Sequence, residues 1–256
     1  IDVAYYLIHS LGTGEEFARR DRDAASAFGA AARAAGVRRI IYLGGLGDPA
    51  TALSHDLRSR QGTGAALGEA GVPVTEFRAG VVVGSGSLSF EMIRHLAERV
   101  PVMICPRWVF TRTQPIAIRD VLDYLVAAPG QPESAGQVVE IGGADVVTYG
   151  EMMTGYAAER GLRRWLLPVP VLTPRLSSFW VHLVTPIPAV VARPLIDGLK
   201  NEVVVRDMTA RRLFPDIAPV GYRVAVGRAL AKLDAGEVET SWSDALASSQ
   251  GDQPVV

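Results

Sequence analysis

The sequence predicts an α/β protein built on a parallel sheet with helices on both of its faces. Apolar, strand-like runs alternate with amphipathic helical segments, and Gly36 and Gly71 stand where two of the helices should end. Strands that are separated by whole helices need crossover connections, which are right-handed and cover both faces of the sheet. The 256 residues, 48% hydrophobic and 21% charged, have the composition of a soluble globular protein.

The elements of this sheet are predicted in order along the first 161 residues. Strands are expected at 2–10, 38–45, 72–84 and 136–143, and helices at 15–35, 55–70, 89–100, 118–128 and 148–161. Residues 101–118 are expected to form short extended pieces and loops. Thr148 and Glu151 have the spacing of a capping box, which predicts that the last of these helices begins there.

Three regions are predicted from the composition. An α/β core spans 1–161, a helix-biased and proline-rich lobe spans 162–233, and a linker or tail spans 234–256. The lobe contains one strand-like stretch, 202–207. After Lys232 the chain has acidic residues and no basic ones, in a Ser-, Gly- and Gln-containing context that is typical of a tail.

Charge and cysteine content exclude several classes of function. Lys and Arg number 26 against 27 for Asp and Glu, and the basic residues are scattered, so nucleic-acid binding is not expected. The single cysteine, Cys105, excludes an intrachain disulfide framework and a cysteine-based zinc site, and it is predicted to be an inert core thiol. No metal site is predicted. Because one thiol suits a reducing compartment and no signal peptide is recognised, a cytoplasmic location is expected.

The stretch 179–196 is the best candidate for contact with a membrane. A membrane-spanning helix needs ~18 or more consecutive apolar residues, and here His182, Arg193 and three prolines interrupt the run. No transmembrane segment is therefore predicted. Two interpretations stay open, namely a buried or cleft-lining pair of helices and a peripheral contact with a membrane surface.

Three glycine patterns follow strands and are tested as a dinucleotide-binding loop, which needs G-x-G-x-x-G/A between a strand and a helix. The segment from Gly45 to Ala50 matches the letters, but Asp48-Pro49 and a polar stretch occupy the place where the helix should open. The Gly84-x-Gly86 pattern has Ser89 at its last position, and Gly12-x-Gly14 lacks a third small residue. Each pattern alone is weak evidence for a pyrophosphate site.

Taken in order, several segments resemble the atypical or extended short-chain dehydrogenase/reductase family, in its NmrA-like branch. The likeness covers nearly the whole chain and rests on DVAYYLIHS, RRIIYLGGLG, DLRSRQGTGAAL, VTEFRAGVVVGSG, TQPIAIRDV and GQVVEIGGADVVTYGEM. The resemblance implies a Rossmann-like three-layer fold that binds NAD or NADP. It also implies that the N-terminal βαβ unit with the Gly-rich loop is missing, so that the chain is expected to be a fragment whose sheet begins at the family's fourth strand.

The same resemblance locates the catalytic positions, where this sequence departs from the family. Family members use a Tyr and a Lys four residues later, with a Ser or Thr nearby. Matching SRQGTG to the family's pattern puts Asp56 at the Tyr position, Arg60 at the Lys position, and Gly44 or Gly45 at the Ser/Thr position. Asp56 or the adjacent His55 would then have to move protons, and an imidazole suits neutral pH better than an ordinary carboxyl group. A surface histidine and a helix N-cap are the structural alternatives for these two residues.

Further residues are assigned to the cofactor or the substrate. His9, Ser10, Gly44, Gly45, Arg60, Arg78 and Gly80 are predicted to contact the cofactor, with a structural ion pair as the alternative for Arg78. Trp108, Arg112 and Gln114 are predicted to line a substrate pocket. The leading function is an NAD(P)-dependent oxidoreductase acting on a small apolar molecule, because apolar residues at 165–172 and 179–196 could form a cleft wall. The alternatives are a non-catalytic NAD(P)H sensor or scaffold, and a membrane-peripheral accessory protein.

Overall fold

The fold is described from a computed structural model of the chain, over residues 1–8, 15–169 and 197–236. His9, Ser10, the stretch 179–196 and almost all of the predicted tail lie outside these described residues, so the predictions made for them have no structural counterpart.

The strands and helices follow the predicted order. The strands are β1 (Val3–Tyr6), β2 (Arg39–Gly45), β3 (Val74–Ala79), β4 (Val82–Val83), β5 (Val102–Pro106), β6 (Arg112–Thr113), β7 (Ile116–Ala117), β8 (Val138–Ile141), β9 (Val147–Thr148) and β10 (Trp165–Val169). The helices are α1 (Glu15–Ala34), α2 (His55–Gly68), α3 (Leu88–Arg99), α4 (Ile118–Ala127), α5 (Tyr149–Glu159), α6 (Thr209–Leu213) and α7 (Tyr222–Asp234).

Four parallel strands form the central sheet, in the order β1-β2-β3-β8. Alternate residues of each strand point to opposite faces, and each face has its own core. Tyr42 of β2 packs with α1 and α2 on one face, whereas Phe77 of β3 packs with Tyr124 of α4 and Phe214 on the other. Helices therefore cover both faces, and the predicted α/β class with a parallel sheet is confirmed.

The local signals that end and begin helices are also confirmed. Gly36 and Gly71 have φ values of +71° and +81°, in the left-handed region that glycine adopts at the least cost. Thr148 caps α5, its side chain accepting a hydrogen bond from the backbone N–H of Glu151, while the Glu151 side chain accepts one from the backbone N–H of Thr148.

Two predicted strands differ from the structure. The strand expected over 72–84 is divided into β3 and β4, since the chain leaves the central sheet after Ala79 and β4 pairs with β7 instead. The stretch 202–207 forms only one bridge, between Val203 and Thr113, because the backbone N–H groups of Val205 and Arg206 donate to the side chains of Gln114 and Glu140 instead of to a strand.

The described part of the predicted C-terminal lobe packs on the core. It begins with strand β10 rather than a helix, and β10 pairs with β5. Tyr222 of α7 donates a hydrogen bond to the backbone oxygen of Met152 in α5, at 2.8 Å. A separate lobe over 162–233 stays a prediction. Among the described residues, no helix is long and apolar enough to cross a membrane.

Candidate active site

The carboxyl ends of β2, β3 and β8 meet at one edge of the sheet, which is where open parallel sheets bind ligands. The loop 46–54 leaves this edge after β2, and Gly80 and Gly142 follow β3 and β8 there. Most of the residues predicted for the cofactor therefore lie on, or next to, one edge of one sheet.

His55 and Asp56 lie at the start of α2, beside this edge. The N-cap of α2 is Ser54, whose side chain accepts a hydrogen bond from the backbone N–H of Leu57 at 3.3 Å. The alternative that made Asp56 the N-cap is therefore wrong, because Asp56 is the second residue of the helix. Both side chains are half-buried. The described residues give His55 no hydrogen bond or ion pair, so that its imidazole is available for one.

Arg60 lies one turn further along α2 and covers the end of β2. A Cβ atom on Gly45 would lie 3.3 Å from both Cδ and Nε of Arg60, so the absence of a side chain at position 45 lets the arginine approach the strand. The Nε atom is buried and has no hydrogen-bond partner among the described residues. An unpaired buried donor is costly, so a ligand that accepts a hydrogen bond from this nitrogen would remove the cost.

Tyr42 and Gln61 hold this corner in place. The Tyr42 hydroxyl donates a hydrogen bond to the backbone oxygen of Arg60 at 2.8 Å, and the Gln61 side chain donates to the backbone oxygen of Gly47 at 2.9 Å. Burial raises the pKa of the Tyr42 phenol to about 12. Tyr42 consequently positions α2, and it is not a candidate for the proton-donating tyrosine that the resemblance would require.

Arg78 is engaged in a buried ion pair. Its Nε lies 2.7 Å from Oε1 of Glu76, on the face of β3 that α2 covers, and both side chains are almost fully enclosed. Burial raises the pKa of the Glu76 carboxyl, against the lowering effect of Arg78. Gly44 and Gly64 leave room for the Glu76 carboxylate, to which an added Cβ would come within 2.9 and 2.4 Å respectively. The structure thus realises the ion-pair alternative, and a cofactor role for Arg78 stays a prediction.

A second charged cluster at this edge was missed by the sequence reasoning. Glu140 of β8 is only 3% exposed, and it accepts hydrogen bonds from the backbone N–H of Arg206 at 2.8 Å and from its Nε at 3.0 Å. The other end of the Arg206 guanidinium donates to Asp48, at 2.7 Å. The available signal was Glu140 itself, because a carboxylate inside the apolar strand QVVEIG needs a cation.

The segment 201–206 crosses this edge of the sheet. The Asn201 side chain accepts a hydrogen bond from the backbone N–H of Ser54 at 2.8 Å and donates one to the backbone oxygen of Ala52 at 3.0 Å. Val203 lies against Gly80, whose added Cβ would make ordinary contacts with it at 3.4 Å. Gly80 therefore adjoins a protein segment, and its contact with a cofactor stays a prediction.

The three residues predicted to line a substrate pocket lie in different surroundings. Gln114 uses both ends of its amide, donating to the backbone oxygen of Gly143 at 2.7 Å and accepting from the backbone N–H of Val205 at 3.0 Å. Arg112 is exposed and lies 3.7 Å from Glu202. Trp108 packs against the core, and its indole nitrogen is buried without a hydrogen-bond partner in the described part of the chain. Of the three, Trp108 alone retains a buried polar atom for a ligand.

The glycine patterns have structural explanations. Loop 46–54 separates Gly45 from the start of α2, and Asp48 closes a turn by accepting a hydrogen bond from the backbone N–H of Ala50 at 2.9 Å. Gly86 has a φ of +77° and precedes the N-cap of α3, Ser87. The Gly45 turn therefore presents no helix N-terminus directly after the strand, as a pyrophosphate loop does, whereas Gly84 and Gly86 do join β4 to α3 but have Ser89 at the last position of the pattern. Gly12 and Gly14 lie outside the described residues.

The described residues offer neither a reactive thiol nor a metal site. Cys105 is buried, and burial raises the pKa of its thiol to about 11, so the reactive thiolate is scarce at neutral pH. The described ranges contain no group of three or more His, Cys, Asp or Glu side chains that could hold a metal ion. The chemical resources of the sheet edge are therefore a guanidinium with an unpaired nitrogen, an imidazole and a carboxyl group.

Comparison with known proteins gives matches among solved structures only; no protein-family model and no curated protein matches this sequence. Triphenylmethane reductase from Citrobacter sp., complexed with NADP(H), is similar with a TM-score of 0.68 and 14% identity, over 90% of this chain and 77% of that one. NADPH-dependent quinone oxidoreductase QOR2 from Escherichia coli, complexed with NADPH, gives 0.66 and 16%, over 90% and 77%. WbmG from Bordetella bronchiseptica, complexed with NAD and UDP, gives 0.63 and 19%, over 91% and 74%.

These likenesses concern the arrangement of the chain in space. At such low identities they show the fold alone, which agrees with the central sheet and its covering helices. The protein therefore has the Rossmann-like α/β fold of these solved structures.

Proposed function

We propose that this protein binds NAD or NADP at the carboxyl edge of the central sheet and acts as an oxidoreductase on a small apolar molecule. The observation that carries the proposal is Arg60, whose buried Nε has no partner among the described residues at the point where β2 ends. The three solved structures named above, which contain NADP(H), NADPH or NAD, support the choice of cofactor.

Arg60 suits such a cofactor because a guanidinium is a fixed fork of donors for ribose hydroxyl or phosphate oxygens. It stands where the short-chain dehydrogenases have the lysine that holds the ribose. When bound, a nicotinamide cofactor supplies or accepts hydride. The contribution of Arg60 is to hold the cofactor, and the contact satisfies a nitrogen that is otherwise unpaired.

The proton that accompanies hydride transfer needs a second group, and we assign it to His55. The His55 imidazole lies on the first turn of α2, half-buried and without a hydrogen bond or ion pair to any described residue. Asp56 is the alternative, although a carboxyl group is the poorer acid at neutral pH. Membership of the NmrA-like branch and a cytoplasmic location remain part of the proposal, on the sequence arguments given above.

The binding test is a fluorescence titration of the protein with NADPH and with NADH. Arg60→Gln should weaken binding about tenfold, as expected when a charge-assisted hydrogen bond is lost. Arg58→Gln is the matched control, because Arg58 is an exposed arginine on the same helix; it should leave the affinity within about twofold. Failure of the unaltered protein to bind either nucleotide would refute the proposal, and equal affinities for both variants would remove Arg60 from it.

A non-catalytic NAD(P)H sensor is the second candidate, because the resemblance matches Asp56 to the family's tyrosine and Gly44 or Gly45 to its serine or threonine. Oxidation of NADPH in the presence of the apolar quinone menadione separates the two candidates. An oxidoreductase should turn over and lose most of its kcat in His55→Ala. Tight binding of NADPH without turnover on menadione and other apolar acceptors favours the sensor. If turnover is unchanged in both His55→Ala and Asp56→Ala, neither residue is the proton donor.

A further inference from the structure

The two-stranded sheet of β5 and β10 has an apolar outer face that is open to solvent. The strands run parallel, with Trp165 beside Val102 and Leu167 beside Ile104. These four side chains are 62%, 43%, 51% and 52% exposed, respectively. Residues that are paired in this way on one side of a sheet are direct neighbours. They therefore form one continuous patch, which we call the β5–β10 outer face.

The opposite face of these strands is buried in the ordinary way. Met103, Cys105 and Leu166 alternate with the patch residues and pack into the core that contains Tyr149 and Met152. Parallel strands are nearly always covered on both faces, whereas polar residues normally occupy a face that meets water. Large apolar residues on a solvent-facing side of a parallel pair consequently indicate a surface that is used for contact.

The two strands of the patch and the residues next to them are rich in arginine. The stretches 99–112 and 160–169, which contain both strands, hold six arginines and no Asp or Glu, although the whole chain has 26 basic and 27 acidic residues. Several of the six are engaged, since Arg112 lies near Glu202, Arg160 lies near Asp234, and Arg164 donates a hydrogen bond to the backbone oxygen of Glu98. Arg107 and Arg163 are exposed and stand just beyond opposite ends of the two strands.

We propose that the β5–β10 outer face docks on a membrane surface that contains anionic lipids. Its composition fits that environment, because tryptophan and aliphatic side chains enter the interface while flanking arginines meet the lipid phosphates. The short strands lie flat on the surface, and no segment has to cross the bilayer. This contact is independent of cofactor binding, whose residues lie at the carboxyl edge of the central sheet.

A second copy of the chain fits the patch less well. A twofold contact through this face would bring the same surface against itself, and with it the arginines of both copies. Like charges at the rim of an interface disfavour association. Anionic lipid, in contrast, is complementary to the apolar centre and to the basic rim alike.

The test is co-sedimentation of the full chain with phosphatidylcholine vesicles, either alone or with about 30 mol% phosphatidylglycerol to supply anionic charge. The protein should bind the anionic vesicles and bind the neutral ones more weakly. The double substitution Ile104→Ser and Leu167→Ser should lower partitioning into anionic vesicles about tenfold. Arg107→Gln with Arg163→Gln should lower binding to the anionic vesicles only.

The matched control is Val126→Ser with Met208→Ser, which replaces two exposed apolar side chains away from the patch and should leave partitioning unchanged. A second measurement leaves the aliphatic residues of the patch intact. Vesicles of lipids brominated along the acyl chain should quench the tryptophan fluorescence of the unaltered protein, and they should quench that of Trp165→Phe less. Absence of binding to anionic vesicles, or equal binding by the patch and control variants, overturns the proposal. The proposal is also overturned if light scattering shows that the unaltered protein is a dimer and that the Ile104→Ser, Leu167→Ser variant is a monomer.

Discussion

The carboxyl end of β2 and the carboxyl ends of β3 and β8 lie side by side in one sheet, but their polar side chains are engaged to different degrees. At the ends of β3 and β8, Glu76 pairs with Arg78, and Arg206 bridges Glu140 and Asp48. At the end of β2, Arg60 keeps a buried nitrogen without a partner among the described residues. A buried polar group that the fold leaves unsatisfied is a natural contact for a ligand, whereas a satisfied one serves the fold.

This contrast assigns different roles to two arginines, Arg60 and Arg78, for which the sequence predicted the same role. Arg60 and Arg78 were both predicted to bind the cofactor, and they lie on adjoining elements, helix α2 and strand β3. The difference comes from their neighbours, because Arg78 has a carboxylate two residues away on its own strand and Arg60 has a glycine beneath it. Substitutions on the β3–β8 side should therefore change stability, and substitutions on the β2 side should change binding.

The largest expected effect is that of Glu140→Ala. It removes a buried carboxylate that accepts hydrogen bonds from the backbone and the side chain of Arg206. Breaking a buried pair by deleting one partner costs several kcal/mol, and since Arg206 can turn partly to solvent we expect a loss of about 3 kcal/mol. Urea unfolding measures it. Glu202→Gln, in an exposed pair with Arg112, should cost less than about 1 kcal/mol. Equal losses of stability in Glu140→Ala and Glu202→Gln would mean that the buried pair of Glu140 stabilises the protein no more than an exposed pair does.

The next effect compares two glycines of α2. A Cβ at position 64 would lie 2.4 Å from Oε2 of Glu76, whereas one at position 62 has nothing within 4 Å. Gly64→Ala should therefore destabilise the protein by about 1–2 kcal/mol through overpacking of the buried ion pair. Gly62→Ala should stabilise it by about 0.5–1 kcal/mol, because alanine has the better helix propensity. Thermal unfolding of the two variants measures both effects. Melting temperatures that shift in the same direction in Gly64→Ala and Gly62→Ala would contradict the crowding at Glu76.

The elements of this fold were predictable where their signals are local. Gly36 and Gly71 end helices through their own backbone conformation, and the Thr148–Glu151 capping box is complete within four residues. Pairings between distant residues were not predictable. Glu140 and Arg206 are 66 positions apart, and β10 becomes a strand because β5 pairs with it from about 60 residues earlier in the chain.

The candidate site was predictable to the same extent. The resemblance to short-chain dehydrogenases assigned Gly45 and Arg60 to one site, and the two residues are neighbours in the structure, while their contact with a cofactor stays a prediction. It also assigned Gly44 to the cofactor, which stays a prediction, and it gave no sign that Glu76 and Tyr42 adjoin the space above this glycine. Which side chain fills the space above a glycine depends on tertiary packing, so a motif in one sequence does not contain that information.

A smaller effect concerns pH and the Glu76–Arg78 pair. Burial raises the pKa of Glu76, so the folded protein holds this proton more tightly than the unfolded chain does. The stabilisation that results is complete below the ordinary pKa of 4.5 and is lost as the pH rises through the raised value. Glu76→Gln cannot titrate. The free energy of unfolding of the unaltered protein, relative to that of Glu76→Gln, should therefore decrease as the pH rises above 4.5. A relative increase over this range would show that Arg78 outweighs burial.

The smallest expected effects on stability are those at the end of β2. His55→Ala should change the free energy of unfolding by less than about 0.5 kcal/mol, because no described residue bonds to the imidazole. Arg60→Gln should cost less than about 1 kcal/mol, since the glutamine keeps part of the stem that lies over Gly45 and removes an unpaired buried nitrogen. Urea unfolding without nucleotide measures the contribution of Arg60 to stability, and the NADPH titration measures its contribution to binding. A loss of about 3 kcal/mol in Arg60→Gln, as in Glu140→Ala, would place Arg60 among the residues that serve the fold and would abolish the distinction between the two strand ends.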